Sequence, residues 1–258
     1  MVSEALIGFA LILMLVYLIS KNRILAFCSW FVVAAACILK IPIFYLGEDY
    51  YNVAVFIAGS ILFILMAFAA LKNSKVIYYT TRFSTLSIAI YSIFAFTNLG
   101  EKLIEITALF TVFVGNLVGF PMIYEGFVVT LNGRAVEIIL ACTAIESIAL
   151  FAGATLGVDA PKNRRLKAFF LSVPTIYILN IFRNVFVIAS FGYSWFGEKS
   201  FYIAHNVVAK IFSTIALVAI AYAVFTLLPE LLELVENMYK EIKSTVKFRF
   251  SESNSPRD

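Results

Sequence analysis

The sequence predicts an all-α polytopic membrane protein, and three observations support that prediction. Hydrophobic residues make up 62% of the 258-residue chain and charged residues only 14%, whereas soluble domains average about 25% charged residues. Long apolar runs recur from end to end, and a run of about 20 such residues crosses a hydrocarbon core of about 30 Å. Lysine and arginine cluster in alternate links between these runs, as they do in cytoplasmic loops.

Seven membrane spans are predicted, and an eighth is possible. They lie at residues 2–20, 24–46, 52–71, 77–99, 138–157, 165–190 and 201–228. The first run follows Glu4 and lacks a small-residue cleavage site, so we interpret it as a retained helix rather than a signal peptide. Residues 101–121 are also apolar, but a crossing there would invert the charge bias of the later links. We therefore expect them to form an apolar helix that lies at the outer surface or re-enters from it.

The charge bias also predicts the orientation of the chain. The links after the first, third and fifth spans are basic, with Lys and Arg at residues 21–23, 72–75 and 162–167, whereas the other links are poorer in cations. Basic loops stay in the cytoplasm. With seven spans, this pattern predicts a multi-pass protein of the cell membrane with its N-terminus outside and its C-terminus in the cytoplasm.

Two elements are predicted outside the spans. Residues 124–138 alternate β-forming side chains around Asn132-Gly133, a pair typical of a type I′ turn, so a short outer β-hairpin should precede the fifth span. After the last span, apolar residues recur at helical spacing, at Leu231, Leu234, Val235, Met238 and Ile242. This pattern predicts an amphipathic cytoplasmic helix on the membrane surface, followed by a disordered tail at 251–258.

One apolar run contains both a thiol and a carboxylate. The run "VEIILACTAIESIALFAG", residues 136–153, carries Cys142 and Glu146, although a charge inside a bilayer helix costs at least about 2.5–3.5 kcal/mol. By residue count, Cys142, Arg183 and His205 on the last three spans share one depth near the outer face. His205 is the single histidine of the chain.

Taken alone, each of these three residues has an ordinary structural interpretation. A membrane cysteine packs as a small hydrophobe, an arginine near a helix end reaches to the interface, and a histidine makes a polar contact. Together they suit acyl transfer, because a thiolate attacks, an imidazole carries the proton and a guanidinium donates to the developing oxyanion. Asn180 precedes Arg183 by three residues and shares its helix face, where it could orient the guanidinium or a substrate carbonyl.

Two further charges lie below this layer. In a continuous helix, Glu146 is one turn below Cys142 and about 40° round from it, and Lys210 lies a little over one turn below His205. We therefore predict an interhelical Glu146–Lys210 ion pair, which can persist where isolated charges would be costly. Two alternatives stay open: each side chain binds water or another polar group, or Glu146 contacts the substrate or His205.

The motifs around these residues resemble those of the exosortase/archaeosortase family. They read "ACTAIES" at Cys142, "NIFRN" at Arg183 and "AHN" at His205, and the resemblance covers mainly residues 105–215. Family members have Ser-Gly where this chain has Thr143-Ala144, and some archaeal members have a second arginine at the position of His205. Asn206, inside the last motif, is assigned a supporting role.

The resemblance implies a membrane cysteine transpeptidase. Such an enzyme cleaves a C-terminal sorting signal, made of a short motif, a transmembrane helix and a basic tail, from exported proteins. Cys142, Arg183 and His205 are the implied catalytic residues, with Asn180, Glu146, Lys210 and Asn206 in supporting or substrate-binding roles. A membrane lipid is the expected acceptor of the new C-terminus, and no cofactor, metal or nucleic-acid partner is expected.

Two other functions stay open at this point. A cysteine protease of the intramembrane type would release its product to water through the same acyl-enzyme. A non-enzymatic transporter would need polar residues through the bilayer, and the first four spans contain almost none. The favoured interpretation divides the chain into an N-terminal four-helix membrane region at 1–100, a catalytic membrane domain at 101–228, and a cytoplasmic helix with a tail at 229–258.

Overall fold

Helices dominate the fold. The structure, a computed structural model, describes residues 2–253 and the side chains of residues 2–246. In that part of the chain the α-helices, α1 to α10, are Val2–Ser20, Arg23–Leu46, Tyr50–Ala70, Lys75–Phe96, Leu99–Leu117, Ile145–Gly157, Lys162–Gly192, Ser200–Tyr202, Ala209–Leu227 and Pro229–Ser253. The strands β1 to β3 are Ile123–Glu125, Val128–Leu131 and Arg134–Glu137. There are also 3-10 turns at Leu140–Thr143 and Gly197–Lys199, and a π-helical segment at Ile203–Val208.

The prediction of an all-α polytopic membrane protein is confirmed. Among the described residues, five helical segments are long and apolar enough to cross a membrane: α1, α2, α3, α7 and Gly197–Leu227. The pair α4 and α5 passes the same test together, but the two helices are bent by 83° at the break between them. A bend of this size occurs in a broken span or in a re-entrant segment, so the expectation that residues 101–121 lie at the outer surface or re-enter from it stays a prediction.

The fifth predicted span, 138–157, is wrong as one continuous crossing helix. The chain leaves β3 at Glu137, forms the 3-10 turn Leu140–Thr143, passes through Ala144 and only then enters α6. The 13 residues of α6 reach about 20 Å at 1.5 Å per residue, which is short of a core of about 30 Å. Residues 138–144 are as apolar as a membrane helix, so composition alone did not reveal that they form a turn.

The described residues form two compact units. Unit 1 comprises residues 2–88, Gly157–Ala160 and residues 229–253, and unit 2 comprises Ala89–Leu156 and Pro161–Leu228. The division into three regions that the sequence suggested stays a prediction.

Unit 1 is built on a regular helical core. Met14, Tyr17 and Met66 are fully buried there, beside several alanines whose small side chains let membrane helices approach closely. The Trp30 indole donates to the Thr81 hydroxyl at 3.1 Å, which satisfies a donor that would find no water inside a bilayer. The polar groups named here are therefore paired without any departure from helical backbone.

The first two basic links lie near each other in unit 1. The Lys21 ammonium, just after α1, lies 5.7 Å from the ring of Tyr78 near the start of α4. The next residue, Tyr79, donates to the Asp159 carboxylate at 3.0 Å. The third basic link belongs to unit 2, and the side of the membrane on which the three links lie stays a prediction.

Helix α10 confirms the predicted C-terminal helix, but part of its apolar face packs on protein. Leu231, Leu234 and Ile242 are buried, and Ile242 belongs to the core of unit 1. The prediction that these residues lie on the membrane surface is therefore wrong, because an apolar stripe suits a protein groove as well as lipid. The helix extends to Ser253, into the tail predicted to be disordered, and residues 254–258 of that tail lie outside the described residues.

The predicted hairpin is confirmed, and it has a third strand. Strands β2 and β3 pair antiparallel, with Leu131 opposite Arg134. The two residues between them, Asn132 and Gly133, have φ angles of 51° and 75°, as a type I′ turn requires. Strand β1 adds to β2, which gives the order β1-β2-β3. The sheet lies in unit 2 and leads directly into the segment that carries Cys142.

Helices α5 and α7 anchor the sheet. Asn116 of α5 binds both backbone groups of Met122: its Oδ1 accepts from the N–H at 2.8 Å and its Nδ2 donates to the carbonyl at 3.1 Å. Arg134 donates to the Phe191 carbonyl near the end of α7 at 2.8 Å, and its guanidinium lies 5.0 Å from the centre of the Phe191 ring. The strand that precedes Cys142 is therefore tied to the helix that carries Arg183.

Candidate active site

Cys142 lies in a tight turn before α6. Its N–H donates to the Ile139 carbonyl at 2.8 Å, and the Thr143 hydroxyl donates to the Leu140 carbonyl at 2.7 Å. Ala144 then adopts φ 58°, a left-handed conformation that costs a residue other than glycine roughly 1–3 kcal/mol. Strained backbone of this kind clusters at functional sites, and the Cys142 side chain is partly buried there.

The turn changes the role expected of Glu146. Cys142 and Glu146 are not on one continuous helix, so the predicted offset of about 40° is wrong. Glu146 lies instead in the first turn of α6, where the helix dipole stabilises a carboxylate by about 0.3–1 kcal/mol. Its carboxylate interacts electrostatically with Cys142 and is exposed. The position of Glu146 at the start of α6 is therefore one structural reason for a charge in this apolar run, in addition to the roles that the sequence suggested.

Two buried amides hold the backbone of Cys142. Asn180 Nδ2 donates to the Cys142 carbonyl oxygen at 2.7 Å, and Asn184 Nδ2 donates to the same oxygen at 3.0 Å. The two asparagines are only 7% and 4% exposed, and they lie four residues apart on one face of α7. Asn180 therefore binds the cysteine backbone, whereas the sequence suggested that it orients the guanidinium or a substrate carbonyl.

Sequence reasoning missed Asn184. The motif "NIFRN" contains both amides at positions i and i+4, in a helix whose neighbouring residues are mostly apolar. That spacing puts them on one face, and buried amides need partners, so the pair was a readable signal. A carbonyl oxygen has two lone pairs, which lets one carbonyl accept both donors. The clamp, by which we mean Asn180 and Asn184, fixes the turn that carries the thiol.

Arg183 joins the same site. Its guanidinium interacts electrostatically with Cys142. One guanidinium nitrogen, Nη1, lies 3.5 Å from Asn184 Oδ1, at the outer limit of a hydrogen bond, and the side chain is partly buried. An arginine that only anchors a helix end extends toward the interface, whereas this one contacts Asn184, which in turn binds the Cys142 carbonyl. The structure therefore brings together Cys142, Arg183 and the clamp.

His205 lies in an unusual backbone conformation. The segment Ile203–Val208 is π-helical, and short π-helical segments occur frequently at functional sites. The imidazole stacks on Phe201, with ring centres 5.4 Å apart, and its Nδ1 lies 3.1 Å from Asn206 Oδ1. An amide oxygen only accepts, so Nδ1 is the donor in this contact. The supporting role of Asn206 stays a prediction.

One packing contact relates the His205 segment to α7. Ala204, its neighbour, packs with Val187 of α7 in one apolar cluster, and Val187 lies about one helical turn beyond Arg183. The level that His205 shares with Cys142 and Arg183, and its approach to Cys142, stay predictions.

Lys210 lies at the start of α9. Its carbonyl accepts a hydrogen bond from the Thr214 hydroxyl at 2.8 Å. The Glu146–Lys210 ion pair and its two alternatives stay predictions. Within residues 2–253, no group of three or more His, Cys, Asp or Glu side chains could hold a metal ion.

Comparison with protein families gives a match along most of the chain. The model of the family described as Transmembrane exosortase (Exosortase_EpsH) matches residues 2–228. The match runs from α1 to the end of the last span, so it includes the turn with Cys142, the α7 segment with Arg183 and the π-helical segment with His205.

Two relatives are similar over a shorter stretch. Archaeosortase A of Haloferax volcanii is 34% identical over 119 residues, which are 40% of this chain and 39% of that protein. Archaeosortase A of Natronomonas pharaonis is 32% identical over 125 residues, which are 42% of this chain and 40% of that protein. The matched stretch therefore spans about two fifths of the length of either relative. No solved structure matches the chain.

Proposed function

The chain belongs to the transmembrane exosortase family, and we propose that it is a cysteine transpeptidase acting on C-terminal sorting signals of exported proteins. Cys142 is the proposed nucleophile, His205 the general base and Arg183 the oxyanion donor. The supporting observation is the clamp of Asn180 and Asn184 on the Cys142 carbonyl, next to the guanidinium of Arg183. A cysteine that only fills space needs no such arrangement.

The proposed first half-reaction forms a thioester. The Cys142 thiol gives its proton to Nε2 of His205, and the sulfur attacks the scissile carbonyl carbon. As the C–S bond forms, the carbonyl electrons move to the oxygen, and Arg183 donates a hydrogen bond to that oxyanion. The C–N bond then breaks, and the leaving amine takes the proton held by His205. The new C-terminus of the substrate stays on Cys142 as an acyl-enzyme.

The proposed second half-reaction transfers that C-terminus to a membrane lipid. A nucleophilic group of the lipid gives its proton to Nε2 of His205 and attacks the thioester carbon. The C–S bond then breaks, and the leaving sulfur takes that proton from His205. Water in place of the lipid would give hydrolysis through the same intermediate. The partly buried position of Cys142, in a chain with several membrane helices, supports transfer because it limits the approach of water.

The proposed substrate carries a short motif, one membrane helix and a basic tail. A basic tail stays in the cytoplasm, so the motif stands at the outer face, and the thiol must lie there. The proximity of the first two basic links within unit 1 supports this orientation. In a chain whose other cysteines are replaced, an impermeant maleimide should label Gly197→Cys from outside and Lys162→Cys only after permeabilisation. The reverse pattern would overturn the orientation.

Mass spectrometry of a processed surface protein tests the chemistry. We expect its C-terminal peptide to carry an added lipid in cells that contain the enzyme, and the uncleaved precursor to accumulate in cells that lack it. A free carboxylate at the cleaved end would keep the acyl-enzyme but replace transfer by hydrolysis. Identical surface proteins in both cell types would refute the proposed function.

A further inference from the structure

The outer edge of β3 carries backbone groups that no described residue pairs with. The Ile138 N–H donates to the Phe127 carbonyl at 2.7 Å, so Ile138 and, two residues before it, Val136 face β2. Because backbone direction alternates along an antiparallel ladder, Ala135 and Glu137 turn their N–H and C=O groups to the opposite side. The sheet order is β1-β2-β3, and within residues 2–253 no further strand lies on that side.

This edge is open to pairing. The side chains of Ala135 and Glu137 are exposed. Natural edge strands block pairing with short length, charged side chains, proline or a bulge. Strand β3 is four residues long and reads Arg-Ala-Val-Glu, in continuous register with β2 and with neither a proline nor a bulge. Its one cationic side chain, Arg134, is directed to the Phe191 carbonyl. At the opposite edge, Asn116 occupies both backbone groups of Met122, the residue before β1.

The open edge leads to the candidate nucleophile. After Glu137 the chain continues through Ile138 and Ile139, whose carbonyl accepts from the Cys142 N–H at 2.8 Å. The outward-facing backbone groups of the β3 edge therefore end at the turn that carries the thiol. The Ile139 carbonyl lies only two residues beyond the end of β3, so the end of β3 is close to the turn that carries the thiol. A strand laid along β3 would therefore arrive at Cys142.

We propose that β3 binds the substrate by strand addition. The extended residues before the membrane helix of the substrate pair with Ala135 and Glu137 as a fourth strand, which brings the scissile carbonyl to Cys142. In this mode of recognition, main-chain hydrogen bonds supply affinity and nearby side chains supply sequence preference. The inference rests on the proposed function, because it assumes that a peptide is the substrate.

The first test removes one outward N–H. Ala135→Pro deletes that donor without touching the β2–β3 ladder, and proline is tolerated on an edge strand whose N–H faces outward. Ala135→Val is the matched control, because valine keeps the N–H and favours strands. The probe is a reporter that carries the C-terminal segment of a surface protein from the same organism and that wild-type enzyme cleaves but Cys142→Ala does not.

We expect Ala135→Pro to lower kcat/KM for the reporter about five- to tenfold, through KM, because one binding hydrogen bond is lost. Ala135→Val should stay within about twofold of wild type. Equal kcat/KM for Ala135→Pro and Ala135→Val would overturn strand addition and leave the proposed function standing. Failure of the proposed function appears earlier and separately, as equal processing by wild-type enzyme and Cys142→Ala.

Photo-crosslinking tests the contact itself and does not depend on the folding of Ala135→Pro. A benzophenone amino acid replaces Ala135 in the Cys142→Ala enzyme. In the control it replaces Ile123, which lies on the same rung of the sheet at the opposite edge and is 57% exposed. We expect an adduct with the reporter from position 135 and none from position 123. Adducts between two enzyme chains from position 135, or reporter adducts of equal yield from both positions, would overturn the proposal.

Discussion

Unit 1 and unit 2 contain similar apolar helices but differ in how much of their backbone is irregular. Unit 1 consists of helices joined by short turns, with one proline inside α2, Pro42, and its core is filled by residues such as Met14 and Met66. Unit 2 departs from regularity in its three-stranded sheet, in the turn through Ala144 and in the π-helical segment Ile203–Val208. The candidate catalytic residues Cys142 and His205 lie at two of those departures.

The difference shows where a membrane protein tolerates irregular backbone. In hydrocarbon every backbone polar group needs a partner, so non-helical segments persist only where protein or water satisfies them. The clamp supplies such a partner to the Cys142 carbonyl from α7. The candidate catalytic residues lie outside unit 1. We therefore expect matched changes in the two units to affect different quantities, stability in unit 1 and turnover in unit 2.

The largest contrast should come from the cysteines. Cys142→Ala should abolish processing of the reporter, a loss of at least about 10³-fold, because no other group can form the thioester. Cys37→Ala, a matched change in unit 1, should leave the rate unchanged. The rates are measured by immunoblot of the reporter at equal enzyme levels in the membrane. Normal processing by Cys142→Ala would remove the distinction between the two units.

The arginines give the next largest contrast. Loss of one oxyanion donor costs about 10²–10³ in kcat in another enzyme, and we expect a similar loss for Arg183→Ala. Arg183→Lys should retain more activity, because it keeps the charge but lacks the planar donor fork. Arg82→Lys in unit 1, where Arg82 donates to the Gly157 carbonyl at 2.8 Å, should alter the melting temperature and not kcat. Wild-type turnover by Arg183→Ala would reduce Arg183 to an anchor at the interface.

The clamp should produce a smaller, non-additive effect. Asn180→Ala and Asn184→Ala each leave one donor on the Cys142 carbonyl, so we expect about a tenfold loss of kcat for each. The double variant leaves that carbonyl unsatisfied and should lose more than the product of the two single effects.

Changes in kcat with an unaltered KM distinguish positioning of the nucleophile from substrate binding. Asn52→Ala is the control in unit 1, since that side chain binds Asp49 alone among the hydrogen bonds described for it. Asn184→Asp, which has the same shape but cannot donate when ionised, should fail as Asn184→Ala does. A higher KM and a lower melting temperature with an unchanged kcat would assign the clamp to folding alone.

The sequence predicted the parts of this picture that depend on local chemistry. Asn132-Gly133 specifies the hairpin because both residues accept positive φ. The sequence also grouped Cys142 with Arg183, whose neighbour Asn184 binds the Cys142 carbonyl. The turn through Ala144 was not predictable, because it depends on donors from Asn180 and Asn184 in a later helix. The apolar face of α10 was also ambiguous, since lipid and protein select the same stripe.

The Glu146–Lys210 hypothesis gives the smallest expected effect. It is the exception within unit 2, because we expect these changes to alter stability. Glu146→Gln should lower the melting temperature of the membrane-extracted enzyme, because it leaves a lysine without its predicted counter-ion. The double variant Glu146→Gln with Lys210→Met should recover part of that loss. A double variant whose loss equals the sum of the single losses would rule out the pair.

The acyl-enzyme on Cys142 can be intercepted directly with neutral hydroxylamine, which attacks thioesters. Wild-type enzyme is incubated with the reporter and hydroxylamine, and the cleaved reporter is analysed by mass spectrometry. We expect a hydroxamate at the new C-terminus, in an amount that rises with hydroxylamine concentration, and no cleaved product from Cys142→Ala. Cleavage by wild-type enzyme that yields no hydroxamate at any hydroxylamine concentration, together with cleavage by Cys142→Ala, would contradict a thioester on Cys142.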